Sequence, residues 1–449
     1  MRKYFKFKAC CFIFAALTMF ACTQEVIEIH PAEVEDKTQA MEKTSKYRSY
    51  EEALTIAQEA IGMLDKSIVT RSERPRTINT ADVQYIVNTS STRAEGELDT
   101  LMYVFNYENN EGFAVVSANP STEGLIAVTE QGHYVSGEET GNDGFDLYMD
   151  MAENYIQTAA EDPLPLPLPG DGDQEVLTQY RMIVDRDTAT IGPLVSVRWG
   201  QDWPYNIACP VYYGTPTKAG CVAVAIAQIM TYYQHPSSFT VSYTSTNYNQ
   251  TLYWDLILEH RFTESSASNT CSQCSTTGGH NLIGSLIREI GQQVEMSYGV
   301  LVSGSDSETF AKSALQHFGY SCGSYQSYSS DVVSNSLANG KLVYMRGGRI
   351  GTEDGHAWVV DGYRWIHEVH RECVKPINAF EWTELKRWTE DLFYHHINWG
   401  WDGQSNGFFL LKVFDTSRPG QLDPGMSTVE TNYNYTVDLE IIPNISKQN

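Results

Sequence analysis

The hydrophobic and polar positions along the chain predict two folded regions. In "SYEEALTIAQEAIGMLD", residues 49–65, apolar residues recur at helical spacing, and Ser49 with Glu52 fits a capping box. Between Met102 and Val135 the pattern changes to short strands, "YVFNY", "FAVVSA" and "LIAVTE", which turn-rich sequences separate. The N-terminal region is therefore predicted to be a small α+β unit.

The C-terminal region shows helical patterns first and strand patterns later. One predicted helix starts at Cys221, and two more are "LIGSLIREIGQQVEM" and "SETFAKSALQHFGY". The predicted strands are "LVYMRG", "AWVVDGY", "LFYHHINWG" and "GFFLLKVF". Helices followed by strands of antiparallel type indicate a second α+β domain.

A proline-rich segment separates the two regions. Alternating prolines in "EDPLPLPLPGDGD", residues 161–173, favour an extended and stiff chain, and the glycine–aspartate end loosens it. We therefore predict a linker, with the domain boundary near residues 175–190. The sequence that follows, "QEVLTQYRMIVDRDTATIG", is expected to be open to proteolytic cleavage.

Charge narrows the range of partners. The 449-residue chain has a formal net charge of −25, which offers no positive surface for nucleic acid or anionic lipid. We therefore expect neither as a partner. The hydrophobic fraction of 42% is that of folded domains with a core, rather than that of a disordered chain.

The first 22 residues are predicted to be an export signal. Basic residues from Arg2 to Lys8 precede an apolar stretch, Ala9 to Ala21, that is too short for an ordinary membrane span. Its end looks like a bacterial lipoprotein cleavage box, in which Cys22 would be lipidated, and ordinary signal cleavage nearby is the alternative. Residues 23–48 are polar and are interpreted as a flexible tether.

The remaining cysteines are too few for a disulfide scaffold. Nine are present, and removal of the three in the signal region leaves six, so one or two bridges stay open as a possibility. "CSQC" at 271–274, with His280 nearby, has the form of half a metal site. No second pair completes four ligands at a recognised spacing, so we expect a local disulfide or free thiols and no metal.

Two residues have the setting of a cysteine nucleophile and its base. In "AGCVAVAIAQIM", Cys221 follows a glycine and opens a predicted helix, whose N-terminus would favour the thiolate; a buried structural thiol is the alternative. In "GTEDGHAWVVDGY", His356 enters an apolar strand, 135 residues after Cys221. Cys209 is the rival nucleophile, but Pro210 does not start a helix cleanly behind it.

Two further motifs complete a possible catalytic set. "HHINWGWDGQSNGFF" supplies Asn398, Trp399 and Trp401, a polar group to fix an imidazole and aromatic rings to shield it. "VRWGQDWPYN" supplies Gln201, whose side chain could donate to a developing oxyanion together with the backbone of Cys221. The order Gln, Cys, His, Asn/Trp is that of papain-like enzymes.

These motifs resemble those of the streptopain family, secreted bacterial cysteine peptidases with a papain-like fold. The matching pieces are "WGQDWPYN", "GCVAVAIAQIM", "GHAWVVDGY" and "HINWGWDGQSNGFF", and "GFAVVSANPSTEGLIAVTEQG" is similar to the family's propeptide. The resemblance spans most of residues 45–440. It implies an α+β papain-like peptidase made as a zymogen, without a cofactor.

The resemblance also implies roles for single residues. Cys221 would be the nucleophile, His356 the general base and acid, and Gln201 an oxyanion donor. The remaining expected site residues are Trp399 and Trp401 beside the histidine, Asn398 as its orienting group, and Gly355 and Ser303 in the substrate-binding wall.

The expected domain order follows from these assignments. It runs from a signal peptide (1–22) through a tether (23–48), a prodomain (49–160) and a linker with the activation region (161–190) to a peptidase domain (191–449). Maturation is expected between about Gly170 and Pro193. Protein or peptide substrates, the prodomain as an intramolecular inhibitor and an activating protease are the expected partners.

Some features depart from the family or leave alternatives open. Residues 363–394 are longer than the short hairpin expected there and are interpreted as surface decoration, with a narrowing of substrate specificity as the alternative. An inactive peptidase-fold protein that binds or adheres is the alternative function. Acyl transfer to an amine instead of water is a third possibility.

Overall fold

The protein was analysed as a computed structural model. The residues it describes are 23–27, 47–65, 75–87, 100–159, 178–260, 277–350, 355–376, 380–415 and 437–448. The predicted signal with Cys22, the proline-rich segment 161–173 and the "CSQC" sequence lie outside these residues. Within them, no helix is long and apolar enough to cross a membrane.

The chain divides into two compact units. The smaller one takes its described residues from 1–35, 172–188 and 366–391, and the larger one from 36–171, 189–365 and 392–449. The smaller unit contains strand β1 (Thr23–Ile27), most of β6 (Thr178–Ile191), and the hairpin ends of β14 (Gly355–Pro376) and β15 (Thr383–Asn398). Strand β6 pairs with β1 and with β14.

The smaller unit differs from the sequence-based expectation at two places. Thr23–Ile27, expected in a flexible tether, pairs antiparallel with Met182–Arg186. The end of the expected linker and activation region is strand β6 rather than loop. Both segments are rich in β-branched residues, which fit an extended and paired backbone.

The N-terminal domain of the larger unit is the α+β unit that the sequence predicts. Its elements are α1 (Tyr50–Asp65), β2 (Ile78–Val87), β3 (Thr100–Tyr107), β4 (Phe113–Ser117), β5 (Leu125–Thr129) and α2 (Asp143–Ala159), with a short 3₁₀ turn at Glu108–Asn110. The capping box is present, because the Glu52 amide donates to Ser49 Oγ at 3.2 Å and the Ser49 amide to Glu52 Oε2 at 2.8 Å.

The C-terminal domain begins with helices around one buried helix. Its elements up to the main strands are β7 (Val211–Tyr212), β8 (Thr215–Pro216), α3 (Cys221–Tyr233), β9 (Ser238–Val241), β10 (Tyr248–Thr251), α4 (Trp254–Leu258), α5 (Thr277–Gln293) and α6 (Ser307–His317). Helix α3 is buried from Val222 to Thr231 and lies in the main apolar core with α5 and α6.

Strands make up the rest of the C-terminal domain. They are β11 (Tyr320–Ser321), β12 (Gln326–Ser327), β13 (Leu342–Arg349), β14, β15, β16 (Gly407–Leu410) and β17 (Val437–Lys447), with α7 (Ser330–Ala338) and a 3₁₀ turn at Leu411–Phe414 between them. The predicted strands "LVYMRG", "AWVVDGY", "LFYHHINWG" and "GFFLLKVF" are thus confirmed, and the last of these ends in the 3₁₀ turn. Helices packed on an antiparallel sheet give the expected α+β class.

One sheet runs through both domains. Its strand order is β11-β17-β13-β14-β15-β16-β5-β4-β3-β2, so β16 of the C-terminal domain pairs directly with β5 of the N-terminal domain. The register places Phe408 opposite Val128 and Gly407 opposite Thr129. This continuity was not expected from two regions joined by a linker, because strand patterns do not reveal pairing partners across long separations.

Helix α2 was missed from the sequence although its signal is present. Phe145, Tyr148, Met149, Ala152 and Ile156 are buried at helical spacing. The Phe145 amide donates to the side chain of Asn142, just ahead of the helix, at 3.3 Å. This helix packs against the 3₁₀ turn and strand β13 of the C-terminal domain.

Phe409 links the two domains and its loss should cost stability. Its ring lies 4.8 Å from Tyr148 and 5.2 Å from Trp399, and the residue is fully buried. We expect Phe409→Ala to lower the free energy of unfolding by about 3–5 kcal/mol in denaturant titrations. Phe393→Ala, at a residue 40% exposed, should change it by about 0.5 kcal/mol or less. Equal effects would contradict this assignment.

Candidate active site

Cys221 is the first residue of α3, at a point where the backbone demands glycine before it. Gly220 has φ +90°, and a Cβ there would lie 2.5 Å from the sulfur of Met296. The thiol is half-buried at the helix N-terminus, where the partial positive charge of the helix favours a thiolate. The local sequence therefore places Cys221 as a nucleophile requires.

His356 is paired with Cys221, and each group shifts the other. Burial alone would raise the pKa of Cys221, but the hydrogen bond and charge of His356, with backbone hydrogen bonds at Ala357 and Val222, lower it. Burial alone would lower the pKa of His356, but Cys221 and the Trp399 carbonyl raise it. These opposite shifts favour a thiolate–imidazolium pair.

The imidazole is oriented by a backbone carbonyl rather than by Asn398. His356 Nε2 donates to the Trp399 carbonyl oxygen at 2.7 Å, which leaves Nδ1 for Cys221. Asn398 instead donates from Nδ2 to the Val197 carbonyl at 2.7 Å and accepts from the Gly400 amide at 3.2 Å. The expected orienting role of Asn398 is therefore corrected: its amide shapes the turn, and the next peptide group contacts the histidine.

Three tryptophans surround the catalytic histidine. The Trp401 ring meets the imidazole edge to face at 6.1 Å between centroids, and the Trp358 ring lies nearly parallel to it at 6.3 Å. Trp399 is fully buried and packs on Trp358 at 5.0 Å. Trp399 and Trp401 are thus brought to His356 as expected, and Trp358 was missed because it reads as an ordinary core residue of β14.

Gln201 and Gly355 lie next to the segments that carry Cys221 and His356, respectively. The Gln201 carbonyl accepts from the Ala219 amide at 2.9 Å, which ties this buried residue to the segment just before Cys221. Gly355 is exposed and directly precedes His356 at the start of β14. Both positions suit the roles that the family resemblance implies for them.

Ser303 is placed differently from the expectation of a substrate contact. It is buried, and its hydroxyl donates to the Lys218 carbonyl at 2.8 Å and accepts from the Gly299 amide at 3.0 Å. The hydroxyl therefore fastens the loop to the segment before Cys221. The neighbouring Leu301 and Val302 are the exposed side chains of this loop, at 89% and 70%.

Cys209 has the surroundings of an inert thiol. It is buried, and burial raises its pKa to about 11. A thiol that stays protonated at neutral pH is a poor nucleophile. The sequence-based preference for Cys221 over Cys209 therefore agrees with the environments of the two groups.

The start of helix α2 lies against His356 and Trp399. A Cβ on Gly144 would lie 2.7 Å from His356 Cδ2 and 2.7 Å from Trp399 Cε3, so only glycine permits this approach. The charge of neighbouring Asp143 contributes to the raised pKa of His356. No pattern in the sequence predicts this contact.

A buried charge network joins the two domains near β15. His396 Nδ1 lies 2.6 Å from Asp361 Oδ1, and its Nε2 lies 3.2 Å from Glu130 Oε1 of the N-terminal domain. Arg198 Nη2 donates to Glu130 Oε2 at 2.9 Å, and the Val195 amide donates to Asp361 Oδ2 at 2.9 Å. Charged residues within the apolar runs "WVVDGY" and "FYHHIN" were the sequence signal for this network.

The network keeps His396 charged. Burial opposes that charge, but Asp361 and Glu130 raise the pKa of His396 to about 10. Burial would raise the pKa of Glu130, but His396 and Arg198 lower it. Each ion is therefore stabilised only while its partners remain in place.

Each of the two domains of the larger unit is similar to a known protein family. Residues 199–409 match the model of the Peptidase C10 family, and residues 39–156 match that of the Spi protease inhibitor. Streptopain from Streptococcus pyogenes is 23% identical over 72% of this chain and 77% of its own length. The thiol protease/hemagglutinin PrtT from Porphyromonas gingivalis is 23% identical over 85% of this chain, which spans 42% of that protein.

A solved structure agrees with the fold. A fragment of prointerpain A from Prevotella intermedia superposes with a TM-score of 0.51 and 20% identity, and covers 82% of this chain and 99% of that one. The papain-like α+β fold with an inhibitor-type N-terminal prodomain, expected from the sequence, is thereby confirmed.

The thiolate state of Cys221 can be followed by its alkylation. Since His356 lowers the pKa of Cys221, iodoacetamide should alkylate this residue at lower pH than an ordinary thiol, as peptide mapping of the processed enzyme would show. His356→Ala should move the midpoint of the profile to higher pH, because burial then acts unopposed. Cys209 in the same samples is the internal reference. An unchanged Cys221 profile in the variant would exclude the pair.

Glu130 should hold the prodomain in place. Glu130→Gln removes the carboxylate that faces both Arg198 and His396 Nε2 and leaves His396 with Asp361 alone, so we expect the full chain to lose about 3–5 kcal/mol of unfolding free energy. Asp82→Asn, which removes a partly exposed pair with His133, should cost at most about 1 kcal/mol. Equal losses would refute a special role for Glu130.

The same network sets a pH dependence for this difference. His396, whose folded pKa is raised to about 10, stabilises fully below its ordinary value of 6.5 and loses this effect as the pH rises through about 10. Glu130, whose pKa is lowered from 4.5, loses its contribution as the pH falls below 4.5. The gap between wild type and Glu130→Gln should therefore be widest between these limits and shrink on either side.

Proposed function

We propose that the chain is a streptopain-like cysteine peptidase with an inhibitory prodomain, and that it is an exported endopeptidase operated by Cys221 and His356. The observation that carries this proposal is the hydrogen-bonded pair at the start of α3, in which each group shifts the pKa of the other. A thiolate already formed at neutral pH needs no separate base to attack a peptide carbonyl.

The proposed reaction proceeds through an acyl-enzyme. The Cys221 thiolate adds to the carbonyl carbon, and the oxyanion accepts hydrogen bonds from the Gln201 side chain and the Cys221 amide. His356 protonates the leaving amine, and the substrate's acyl group stays on sulfur as a thioester. His356 then takes a proton from water, whose oxygen attacks the thioester and releases the acid and the thiolate.

The remaining residues act on these two. The Trp399 carbonyl holds the imidazole, and Trp358 and Trp401 keep water from the ion pair. Leu301 and Val302 expose apolar side chains on a loop that Ser303 ties to Lys218, three residues before Cys221. This placement supports a preference for a hydrophobic substrate residue two positions before the cleaved bond.

We propose that the prodomain inhibits by covering this site. The contact of Gly144 with His356 and Trp399 supports a direct block of substrate access. Cleavage between about Gly170 and Pro193, by the enzyme itself or by another protease, would then allow the prodomain to leave. The proposed location is the cell surface, through a lipid on Cys22, or the surrounding medium after ordinary signal cleavage.

Two alternatives have less support. An inactive binding protein gives no reason for the shifted pKa values of Cys221 and His356. Transfer of the acyl group to an amine uses the same first step, and it differs from hydrolysis in the mass of the product.

Labelling with an epoxide inhibitor of papain-like enzymes tests the nucleophile and the zymogen together. We expect Cys221 to be labelled only after limited trypsin treatment removes the prodomain, as peptide mapping by mass spectrometry would show. Cys221→Ala should abolish labelling and lower kcat by about 10⁴-fold or more. Peptide products carrying the mass of water would establish hydrolysis.

Cys209→Ala is the matched control. The Cys209 thiol is buried and its pKa is raised, so its removal should leave labelling and activity unchanged. Label on Cys209, or full activity in Cys221→Ala, would overturn the proposed mechanism. Equal labelling before and after cleavage would overturn the covering role of the prodomain.

A further inference from the structure

Three side chains with metal-binding atoms meet on the hairpin of the smaller unit. Glu368 and His370 lie two residues apart on β14, and Glu390 lies on β15. His370 Nε2 is 3.0 Å from Glu368 Oε2 and 3.8 Å from Glu390 Oε2, and one ligand atom of each residue lies within 4.8 Å of the others. The catalytic mechanism uses none of these residues.

The spacing of these atoms suits a small divalent cation. Zinc binds imidazole nitrogen and carboxylate oxygen at about 2.0–2.2 Å, so neighbouring ligands of a tetrahedral ion are about 3.4 Å apart. The two measured separations, 3.0 and 3.8 Å, lie on either side of that value. An ion could therefore enter with small side-chain movements, and water would complete its coordination.

The surroundings fix two of the ligands in orientation. The Trp388 ring stacks on His370 at 5.0 Å between centroids and 3° between planes, so the imidazole is held in one plane. Arg186 Nε donates to Glu368 Oε1 at 2.6 Å, which leaves Oε2 directed toward His370. Contacts of this kind, outside the ligands themselves, commonly hold metal ligands in place.

The ring nitrogen of His370 supplies an independent observation. Nε2 is buried and has no hydrogen-bond partner among the described residues, although both carboxylates are close. A buried ring nitrogen that faces two carboxylate oxygens at these distances is an arrangement that a cation would complete.

We propose that Glu368, His370 and Glu390 bind a divalent transition-metal ion, with zinc as the best match to one imidazole and two carboxylates. The ion links β14 to β15 across the hairpin. Two carboxylates balance its two charges, and Arg186 remains paired with the second oxygen of Glu368. The site stabilises the hairpin locally, because opening of the strands would require loss of the ion.

Zinc titration of the full chain in a Cys221→Ala background tests the proposal, since this background removes the catalytic thiolate as a competing ligand. Calorimetry should show one equivalent of zinc that His370→Ala loses or binds at least tenfold more weakly. His367→Ala is the matched control, because His367 lies on the same hairpin and pairs with Asp391. If the Cys221→Ala protein binds zinc equally well with and without His370→Ala, the proposed site is wrong.

Proteolysis supplies a second readout that does not depend on a folding defect in one variant. Zinc should slow trypsin cleavage at the exposed Lys386 and Arg387 of the hairpin at least tenfold, and the conservative variant Glu390→Gln should lose most of this protection. Zinc protection that is equal in Glu390→Gln and in its parent would also overturn the proposal. Neither readout requires peptidase activity.

Discussion

The mutual stabilisation of two opposite charges is the constraint on which this structure depends. Burial opposes ionisation of both Cys221 and His356, but each group shifts the pKa of the other toward the charged form. Gly220 allows helix α3 to begin at Cys221, and the Trp399 carbonyl holds the imidazole ring of His356 in place. A thiolate prepared in this way must be kept from acting too early.

Under the proposed function, the prodomain inhibits by covering the site and not by taking the Cys221–His356 pair apart. The hydrogen bond between Cys221 and His356 is present while Gly144 lies against His356. Attachment relies on two different forces, the buried ions around Glu130 and the packing of α2 on Phe409. Charge fixes the position of the prodomain, and apolar area supplies most of the attraction.

Sequence reasoning found the chemistry better than the contacts. Cys221 and His356 could be singled out as candidates because a helix start and a strand entry leave local signatures, and the structure places the two side chains together. The capping box at Ser49 is also a local signal. The side chain of Asn398 bonds to Val197 and Gly400, and the group that contacts His356 is the backbone carbonyl of Trp399, which residue identities alone do not predict. The contacts of Glu130 with His396 and of Gly144 with His356 were missed because each pair is over 200 residues apart, and only the folded chain brings them together.

Strand β16 carries a consequence for the enzyme after maturation. In the zymogen its backbone is paired on one side with β5, and a Cβ on Gly407 would lie 2.1 Å from the Val128 carbonyl. Under the proposed maturation, loss of the prodomain would leave β16 as a sheet edge with unpaired amides and carbonyls, beside Phe409, which packs against α2 in the full chain. Such an edge would be open to an extended peptide that adds as a strand, which the paired edge of the precursor is not.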